Sequence, residues 1–269
     1  MPELPEVQTV LDTLETRIKD RRISDVKILY RPIVEGDERS FRERLIGQHF
    51  RSFRRRGKYL LFEMDDLTLV SHLRMEGKFF ILDETVPINK HDHVIFTLDD
   101  GMQLRYNDVR KFGRMEIIEK RADYSGFKGL GPEPFDRPFS LPYCRKYLKD
   151  RKAPIKQVLL DQSFVAGIGN IYADEILFAI GTDPRTPACD LDDGKMKQLI
   201  HQTRKILKRA IEAGGTTIRS YTSSLGVTGR FQLKLKVHSM KKCPVCGTEI
   251  RKIRVGGRGT YYCERCQRS

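Results

Sequence analysis

Four of the six cysteines, close to the end of the chain, constrain its fold more than any other feature. They form Cys243-Pro-Val-Cys246 and Cys263-Glu-Arg-Cys266, and sixteen residues separate the two pairs. Each CxxC sets two thiolates on a tight turn, and two such turns close a tetrahedral zinc site. A glycine-rich turn, 256–259, lies between two short runs with strand character, 250–255 and 260–262. We therefore predict a β-hairpin zinc finger that holds one structural Zn²⁺.

Two disulfides are the alternative for these cysteines, and a reducing compartment would disfavour them. The N-terminus has no signal-peptide hydrophobic region, and no run approaches the roughly 18–20 apolar residues of a membrane span. We therefore expect a cytoplasmic protein with no membrane partner. Cys144 and Cys189 lack any metal-ligand spacing and are predicted to be ordinary free thiols.

The basic charge of the chain indicates a polyanionic partner. The net charge is +14 and the pI is about 9.6. Residues 230–269 carry 11 Lys/Arg against two Glu, a net +9, and residues 51–58 carry five cations. A third cluster consists of Arg145, Lys146, Lys149, Arg151, Lys152 and Lys156. Each cluster alone also fits a solvated surface, but together with a zinc finger they favour nucleic acid.

Hydrophobic periodicity divides the chain into a β-rich and a helical part. A helix is predicted over 4–19, because its apolar residues recur at helical spacing. Eight short β-like runs follow and suggest a sandwich or barrel. Residues 123–142, rich in glycine and proline, form a predicted linker before four helices near 141–150, 154–161, 171–180 and 193–213. The β-like runs are 23–30, 49–54, 59–64, 68–73, 78–82, 93–98, 102–106 and 114–118.

The first residues, Met-Pro-Glu-Leu-Pro-Glu, allow a chemical function. If Met1 is removed, Pro2 carries a terminal secondary amine, and α-amino groups titrate near pH 8. Such an amine can form a Schiff base with an electrophilic carbon, and the adjacent Glu3 could move the proton. The alternative is a plain helix start, with Pro5 at the first helical position and Glu6 near the positive end of the dipole.

A glycine-rich segment between two predicted helices, 161–172, ends in Gly167-Ile168-Gly169-Asn170-Ile171-Tyr172. Its glycines permit a tight double turn, and Asn170 is placed to cap the following helix. Helix N-termini bind phosphate through their backbone amides. A capped loop without a ligand is the alternative for this segment.

These segments together resemble the formamidopyrimidine-DNA glycosylase family, bacterial enzymes that repair 8-oxoguanine in DNA. The resemblance covers essentially the whole chain. It implies an α+β fold of two domains. The first is an N-terminal β-sandwich with an N-terminal helix, and the second is a helical domain that contains a helix–two-turns–helix motif and a zinc finger. The implied boundaries are 1–130, 131–230 and 231–269. The resemblance rests on PELPE, RGKY (56–59), SHLRM (71–75), KHDH (90–93), DVRKFG (108–113), LGPEP (130–134), GIGNIY and the CxxC pairs.

The resemblance assigns chemistry to four residues. Pro2 is similar to the family's nucleophile, which displaces the damaged base and forms a Schiff base, and Glu3 is similar to its acid/base. Lys58 and Arg258 match the cations that act near the departing phosphates. Without the resemblance, Lys58 would be a surface lysine and Arg258 a turn arginine. The implied reaction is base removal followed by β- and δ-elimination.

Six further residues match positions that contact DNA in this family. An enzyme that acts on a base must take it out of the duplex. Met75 and Phe112 resemble the apolar inserts that fill the gap, and Arg110 the arginine that faces the orphaned cytosine. Core packing is the alternative for both apolar residues. Backbone phosphates would be gripped by His91, Arg151 and Asn170. The implied partner is double-stranded DNA with oxidised bases, bound by a monomer.

Two departures from the family pattern concern substrate choice. Gln8 stands where a glutamate is common, and the loop 219–229 has Leu225-Gly226 where Asp-Gly or Asn-Gly is frequent. An endonuclease VIII-like enzyme for oxidised pyrimidines is one alternative, against which Leu4 and the Met75 group argue. A DNA-binding protein that keeps the zinc finger but has lost its chemistry is another.

Overall fold

The chain forms two compact units, each of which consists of two separate segments of the sequence. The computed structural model describes residues 1–120, 124–216 and 230–268. The N-terminal unit contains Met1–Lys128 and Gly214–Gly229, and the C-terminal unit contains Gly129–Ala213 and Arg230–Ser269. The three-part division at residues 130 and 230 stays a prediction, which limited proteolysis would test.

The N-terminal unit begins with the predicted helix. Helix α1 starts after the N-cap residue Glu3, and Pro5 occupies its first turn, where a missing N–H costs no hydrogen bond. Its apolar stripe, from Leu4 to Ile18, is buried. The elements described in this unit are α1 (Leu4–Ile18), β1 (Ile23–Ile28), α2 (Glu38–Leu45), β2 (Ser52–Arg56), β3 (Tyr59–Glu63), β4 (Leu67–His72), β5 (Lys78–Asp83), β6 (Asp92–Leu98), β7 (Met102–Asn107) and β8 (Arg114–Glu119).

The strands of this unit form two four-stranded antiparallel sheets. Their orders are β1-β6-β7-β5 and β2-β3-β4-β8. Side chains from both sheets and both helices enter one hydrophobic core, which includes Leu11, Phe41, Phe62 and Phe96. The predicted β-sandwich is therefore confirmed, and the loops at its strand ends carry the residues considered below.

The C-terminal unit contains four helices and a hairpin in its described part. The helices are α3 (Leu141–Leu148), α4 (Ile155–Leu160), α5 (Asn170–Ala179) and α6 (Asp193–Glu212). Buried side chains such as Phe139, Phe164, Tyr172 and Leu207 lie in this unit. The hairpin pairs β9 (Arg251–Val255) with β10 (Arg258–Tyr262), as the spacing of the cysteines predicts. No helix in the described ranges is long and apolar enough to cross a bilayer.

Three details differ from the sequence prediction. Helix α2 was not predicted, because only Phe41 and Leu45 of its eight residues are buried and so give little periodicity. The predicted strand 49–54 is instead Ser52–Arg56, since Phe50 forms backbone hydrogen bonds with Asp20 and Arg21 in the connection between α1 and β1. The cap of α5 is Gly169, so Asn170 is the first helical residue rather than the N-cap.

Candidate functional site

The N-terminus is held by the carboxylate of Glu6. One Glu6 oxygen accepts the backbone N–H of Glu3 at 2.9 Å, and the other accepts the N–H and the hydroxyl of Thr216, each at 2.8 Å. Pro2, Glu3 and Glu6 are buried, whereas the Met1 side chain is half exposed. The start of the chain is thus fixed in place rather than frayed.

The electrostatic environment favours a neutral amine at this position. Burial lowers the pKa of the terminal amino group on Met1, and the positive charge of Lys58 acts in the same direction. Glu3 and Glu6 oppose this effect but do not cancel it. A neutral amine is the nucleophilic form, so the surroundings are suited to attack on carbon.

Lys58 lies in the β2–β3 turn together with Gly57, which has a positive φ of 57°. Its side chain is only 7% exposed, so it is not an ordinary surface lysine. Its charge acts on the amino terminus and on His72 at the end of β4. The structure therefore groups Pro2, Glu3 and Lys58 in one charged, partly buried environment within the N-terminal unit.

His72 is a buried neutral imidazole. Burial lowers its pKa to about 3, and the charges of Arg74 and Lys58 add to the shift. Its Nδ1 accepts the N–H of Arg74 at 2.9 Å, which a protonated nitrogen could not do. The imidazole edge also packs on Tyr59, with ring centroids 4.5 Å apart. It lines a cavity of about 330 Å³ together with Tyr59, Arg74 and Tyr124.

This burial predicts a pH effect on stability. Below pH about 6.5 the unfolded chain binds a proton at His72 that the folded chain does not, until about pH 3. Unfolding free energy should therefore fall by up to ~1.4 kcal/mol per pH unit as pH decreases through this window. His72→Asn keeps an acceptor for Arg74 and cannot titrate, so its urea-unfolding series should fall less steeply. His201→Asn removes an exposed histidine and is the control, so its slope of unfolding free energy against pH should match that of the unaltered protein. Equal slopes in His72→Asn and the unaltered protein would contradict this prediction.

The three residues of the predicted insert lie in two turns of the same unit. Met75 follows β4 and is half-buried, whereas Arg110 and Phe112 are exposed in the β7–β8 connection. Phe112 is 48% exposed, so core packing does not explain it. The Arg110 guanidinium lies 4.7 Å from the Phe112 ring centroid. A cavity of about 370 Å³ is lined by Met1, Met75, Phe112 and two arginines, Arg74 and Arg114.

His91 lies between β5 and β6 and is partly exposed. Its backbone N–H donates to the Asn89 side chain at 2.9 Å, and its backbone carbonyl accepts the backbone N–H of Asp108 at 3.0 Å. The imidazole is therefore carried on an ordered turn, and a ring on such a turn can reach a phosphate.

Gln8 lies on α1 and joins the helix to the neighbouring strand. Its side-chain oxygen accepts from Arg55 at 3.0 Å, and its amide donates to Asp12 at 2.7 Å. Arg55 belongs to the basic cluster 51–58, in which Arg51 and Arg54 pair with acidic side chains. Part of that cluster is therefore neutralised locally rather than available to a polyanion.

In the C-terminal unit, the glycine-rich turn and the hairpin tip are joined. The Asn170 side-chain amide donates to the carbonyl of Gly259 at 2.8 Å, next to exposed Arg258. The Asn170 Oδ1 atom is buried and has no hydrogen-bond partner. This hydrogen bond brings Asn170 and Arg258 together, and both residues match positions that act on phosphates in the family. Arg151, the third in this unit, is exposed and stacks on Tyr147 with its Cζ 4.0 Å from the ring centroid.

A buried ionic group supports this arrangement. The Lys156 ammonium donates to the Asn170 carbonyl at 3.0 Å and pairs with Asp174, and both charged side chains are fully buried. The second Asp174 oxygen binds His238 Nδ1 at 2.7 Å. Lys156, expected from sequence to belong to a surface cluster, is instead an internal residue.

Removing one member of this group should destabilise the unit strongly. Asp174→Asn leaves the buried Lys156 ammonium without its counter-charge, and we expect a loss of about 3 kcal/mol in unfolding free energy. Urea unfolding followed by circular dichroism measures it. Asp193→Asn, which breaks the exposed pair with Arg145, is the matched control and should cost much less. Comparable losses in the two variants would contradict the prediction.

The four cysteines of the two CxxC pairs form the zinc site. Their sulfur atoms all lie within 4.8 Å of one another, and four thiolates are a donor set that Zn²⁺ prefers. Cys243 and Cys263 belong to a small core with Val237 and Ile250. All six cysteines are described, and none forms a disulfide. Burial raises the pKa of Cys144 to about 12, so it is an inert core thiol.

Sequence reasoning missed some residues and could not place others. Glu6 was noted only for its charge near the helix start, and His72 only as part of a motif. Asp174 gave no signal, because its partners are distant in sequence. The loop 219–229, which resembles the family's lesion-covering loop, lies outside the described residues.

Comparison with known proteins gives a consistent result over the whole chain. The formamidopyrimidine-DNA glycosylase N-terminal domain matches residues 1–115, its H2TH domain matches 130–222, and the zinc finger found in FPG and IleRS matches 241–268. The formamidopyrimidine-DNA glycosylase of Ligilactobacillus salivarius is 47% identical over 99% of both chains.

Solved structures agree with the sequence matches. A Lactococcus lactis FPG mutant in complex with Fapy-dG containing DNA has a TM-score of 0.95 at 40% identity, covering 100% of both chains. Wild-type Lactococcus lactis FPG in complex with oxidised-pyrimidine DNA has a TM-score of 0.93 at 40% identity, again over 100% of both chains. With relatives this similar over its full length, the chain belongs to the formamidopyrimidine-DNA glycosylase family.

Proposed function

We propose that this protein is a bifunctional DNA glycosylase and AP lyase that removes oxidised purines, 8-oxoguanine and formamidopyrimidines, from duplex DNA. Its relative was crystallised with Fapy-dG containing DNA. The observation that carries the chemistry is the buried start of the chain, where burial and the Lys58 charge lower the pKa of the amino group on Met1. The Pro2 amine would take up this environment once Met1 is removed. A DNA-binding protein without chemistry would need no such amine.

The proposed nucleophile is the Pro2 nitrogen after Met1 has been removed. It attacks C1′ of the damaged nucleotide, the C1′–N bond breaks, and the base leaves with a proton. Glu3, buried beside it, supplies the proton for opening of the sugar ring, which leaves an iminium at C1′. The iminium acidifies the C2′ proton, and successive β- and δ-eliminations break the two phosphate ester bonds.

Two cations stabilise the phosphates that depart in these eliminations. Lys58 would act near the sugar in the first steps, and Arg258 at the hairpin tip in the second elimination. Lys58 is buried, which suits a residue that acts near the reacting sugar. Arg258 is exposed, which suits a residue that contacts DNA from the solvent side. The zinc ion would only fold the hairpin that carries Arg258.

The remaining residues would hold the deformed duplex. Met75 and Phe112 enter the gap left by the flipped nucleotide, and Arg110 faces the orphaned cytosine. Arg110 and Phe112 are exposed on their loop and Met75 is only half-buried, which supports this role, since fully buried core residues could not insert. His91, Arg151 and Asn170 contact backbone phosphates, so binding should weaken steeply with salt.

Lesion preference is the point on which a second candidate remains. A Lactococcus lactis relative was crystallised with DNA containing an oxidised pyrimidine, so an endonuclease VIII-like preference is the alternative. Borohydride trapping on matched duplexes, with 8-oxoguanine or an oxidised pyrimidine opposite the same partner base, separates the two. We expect more adduct with 8-oxoguanine. Adduct with the pyrimidine alone would support the alternative, and no adduct from Met1-free protein would exclude both.

The proposed place of action is the bacterial cytoplasm, on nucleoid DNA. The described ranges contain no helix that could span a membrane, and the high positive charge suits a DNA surface. We propose that the protein acts as a monomer, which sedimentation with and without a short duplex would test.

A further inference from the structure

The carboxylate of Asp108 organises the loop that presents Arg110 and Phe112. Asp108 follows β7 and is fully buried. One of its oxygens accepts the backbone N–H of Arg110 at 2.9 Å. The other accepts the N–H groups of Phe112 and Gly113, also at 2.9 Å each. Three backbone N–H groups of the loop are thus bound to one charged side chain, and charge-assisted bonds of this kind are strong.

The backbone of Asp108 extends the same network toward His91. Its N–H donates to the His91 carbonyl at 3.0 Å. Its carbonyl lies 2.8 Å from His93 Nε2, which must carry the proton because a carbonyl only accepts. The loop of Arg110 and Phe112 and the turn of His91 are therefore joined through a single residue.

Tyr106 connects this loop to the turn that carries Met75. Its hydroxyl lies 3.3 Å from the Asp108 carboxylate. A Cβ placed on Gly77 would lie 2.3 Å from that hydroxyl, and one placed on Gly113 would lie 1.6 Å from it. Both turns therefore need glycine at these positions, because any larger residue would collide with the Tyr106 phenol. The turn that carries Met75 and the loop that carries Phe112 thus both pack against the buried Tyr106 side chain.

The loop also contains a backbone conformation that needs support. Lys111, between Arg110 and Phe112, has a φ of 59°, which is unfavourable for a residue with a side chain. Its ammonium lies 4.4 Å from the centroid of the Tyr30 ring. Surrounding bonds hold such conformations in place, and they occur often at functional sites.

We propose that Asp108 is a positioning residue, which holds the Arg110–Phe112 loop in its DNA-inserting shape before DNA binds. Tyr106 couples that loop to Met75, so the two inserts enter the duplex as one unit. This inference rests on the proposed roles of Met75, Arg110 and Phe112. Asp108 itself touches no DNA in this proposal.

Insertion can be measured without any chemical step. The probe is a duplex with a tetrahydrofuran abasic analogue opposite 2-aminopurine, whose fluorescence rises when it is unstacked. Asp108→Asn keeps the shape of the side chain but turns an amide group toward one of the N–H donors. Tyr106→Phe removes only the hydroxyl. Asp99→Asn, an exposed carboxylate in the β6–β7 turn, is the matched control.

We expect Asp108→Asn to reduce the fluorescence rise at saturating protein to less than about half, and Tyr106→Phe to reduce it less. Asp99→Asn should match the unaltered protein. On 8-oxoguanine duplexes, single-turnover base release should fall by about tenfold in Asp108→Asn, which corresponds to a small misplacement of the insert. The double variant Asp108→Asn/Phe112→Ala should lose less than the product of the two single losses, because part of the effect of Asp108 acts through Phe112.

Two results would overturn the inference. One is a full fluorescence rise in Asp108→Asn. The other is a double variant whose loss equals the product of the two single losses, since Asp108 would then act independently of Phe112. If Asp108 had only a structural role, Asp108→Asn would lower the thermal midpoint, and the loss of rate in the double variant would equal the product of the two single losses. Because fluorescence requires no turnover, an inactive enzyme would contradict the proposed function without affecting this test.

Discussion

Protein that begins with Pro2 will form a borohydride-stable adduct with damaged duplex DNA, and the same protein with an N-terminal extension will form at least about 100-fold less. The reason is chemical. An extension turns the Pro2 nitrogen into a tertiary amide, which has no lone pair available for attack. A cleavable tag gives both forms from one preparation, so the polypeptide after the cut is its own control.

Two variants test the role of the amine further. Pro2→Gly should reduce the adduct to a similar extent, because the iminium of a secondary amine keeps an obligatory positive charge. Lys58→Met should raise the pKa of the Pro2 amine, since the Lys58 charge lowers the pKa of the amino group on the adjacent Met1, and so move the rise of trapping rate to higher pH. Lys78→Met on β5 is the control. An unchanged pH profile in Lys58→Met would contradict the electrostatic argument.

Removal of zinc should reduce DNA affinity by about 100-fold while the sandwich stays folded. A two-stranded hairpin is marginal by itself, so β9 and β10 depend on the metal and on the small core around Cys243 and Cys263. Loss of the hairpin removes the Asn170–Gly259 hydrogen bond and the fixed position of Arg258. Several phosphate contacts would then be lost together, and each contributes to affinity.

Fluorescence anisotropy with a labelled duplex measures this loss after chelation, and added Zn²⁺ should restore binding. Hydrogen exchange reports the sandwich separately. Amides of β3 and β4 should keep their protection, because the core of the two sheets shares no residue with the zinc core. Unchanged affinity in zinc-free protein, or loss of protection in β3 and β4, would contradict the prediction.

The sequence predicted the elements with strong local patterns. Helix α1 has a complete apolar stripe, and the strands alternate between turns, so their positions were correct within a few residues. Helix α2 was missed because only two buried residues mark it. The zinc site was predictable because its ligands come in two close pairs, whose spacing alone specifies the chemistry.

The candidate residues could be selected from the sequence, but the residues that hold them in place could not. Pro2, Lys58 and Arg258 could be selected from short motifs, although their roles remain proposals. Glu6, Asp108 and Asp174 could not. Glu6 and Asp174 act through partners that only the fold brings near, and Asp108 acts through backbone N–H groups of its own loop. A carboxylate that binds backbone amides leaves no pattern in the partner sequence, since every residue except proline has an N–H.

The bond between Glu6 and Thr216 has a consequence for biosynthesis. The ribosome makes residue 6 long before residue 216, so the start of the chain cannot take its final place until most of the polypeptide exists. Pro2 is buried in the finished protein. An aminopeptidase that acted on Met1 during translation would therefore meet an end that Thr216 does not yet hold.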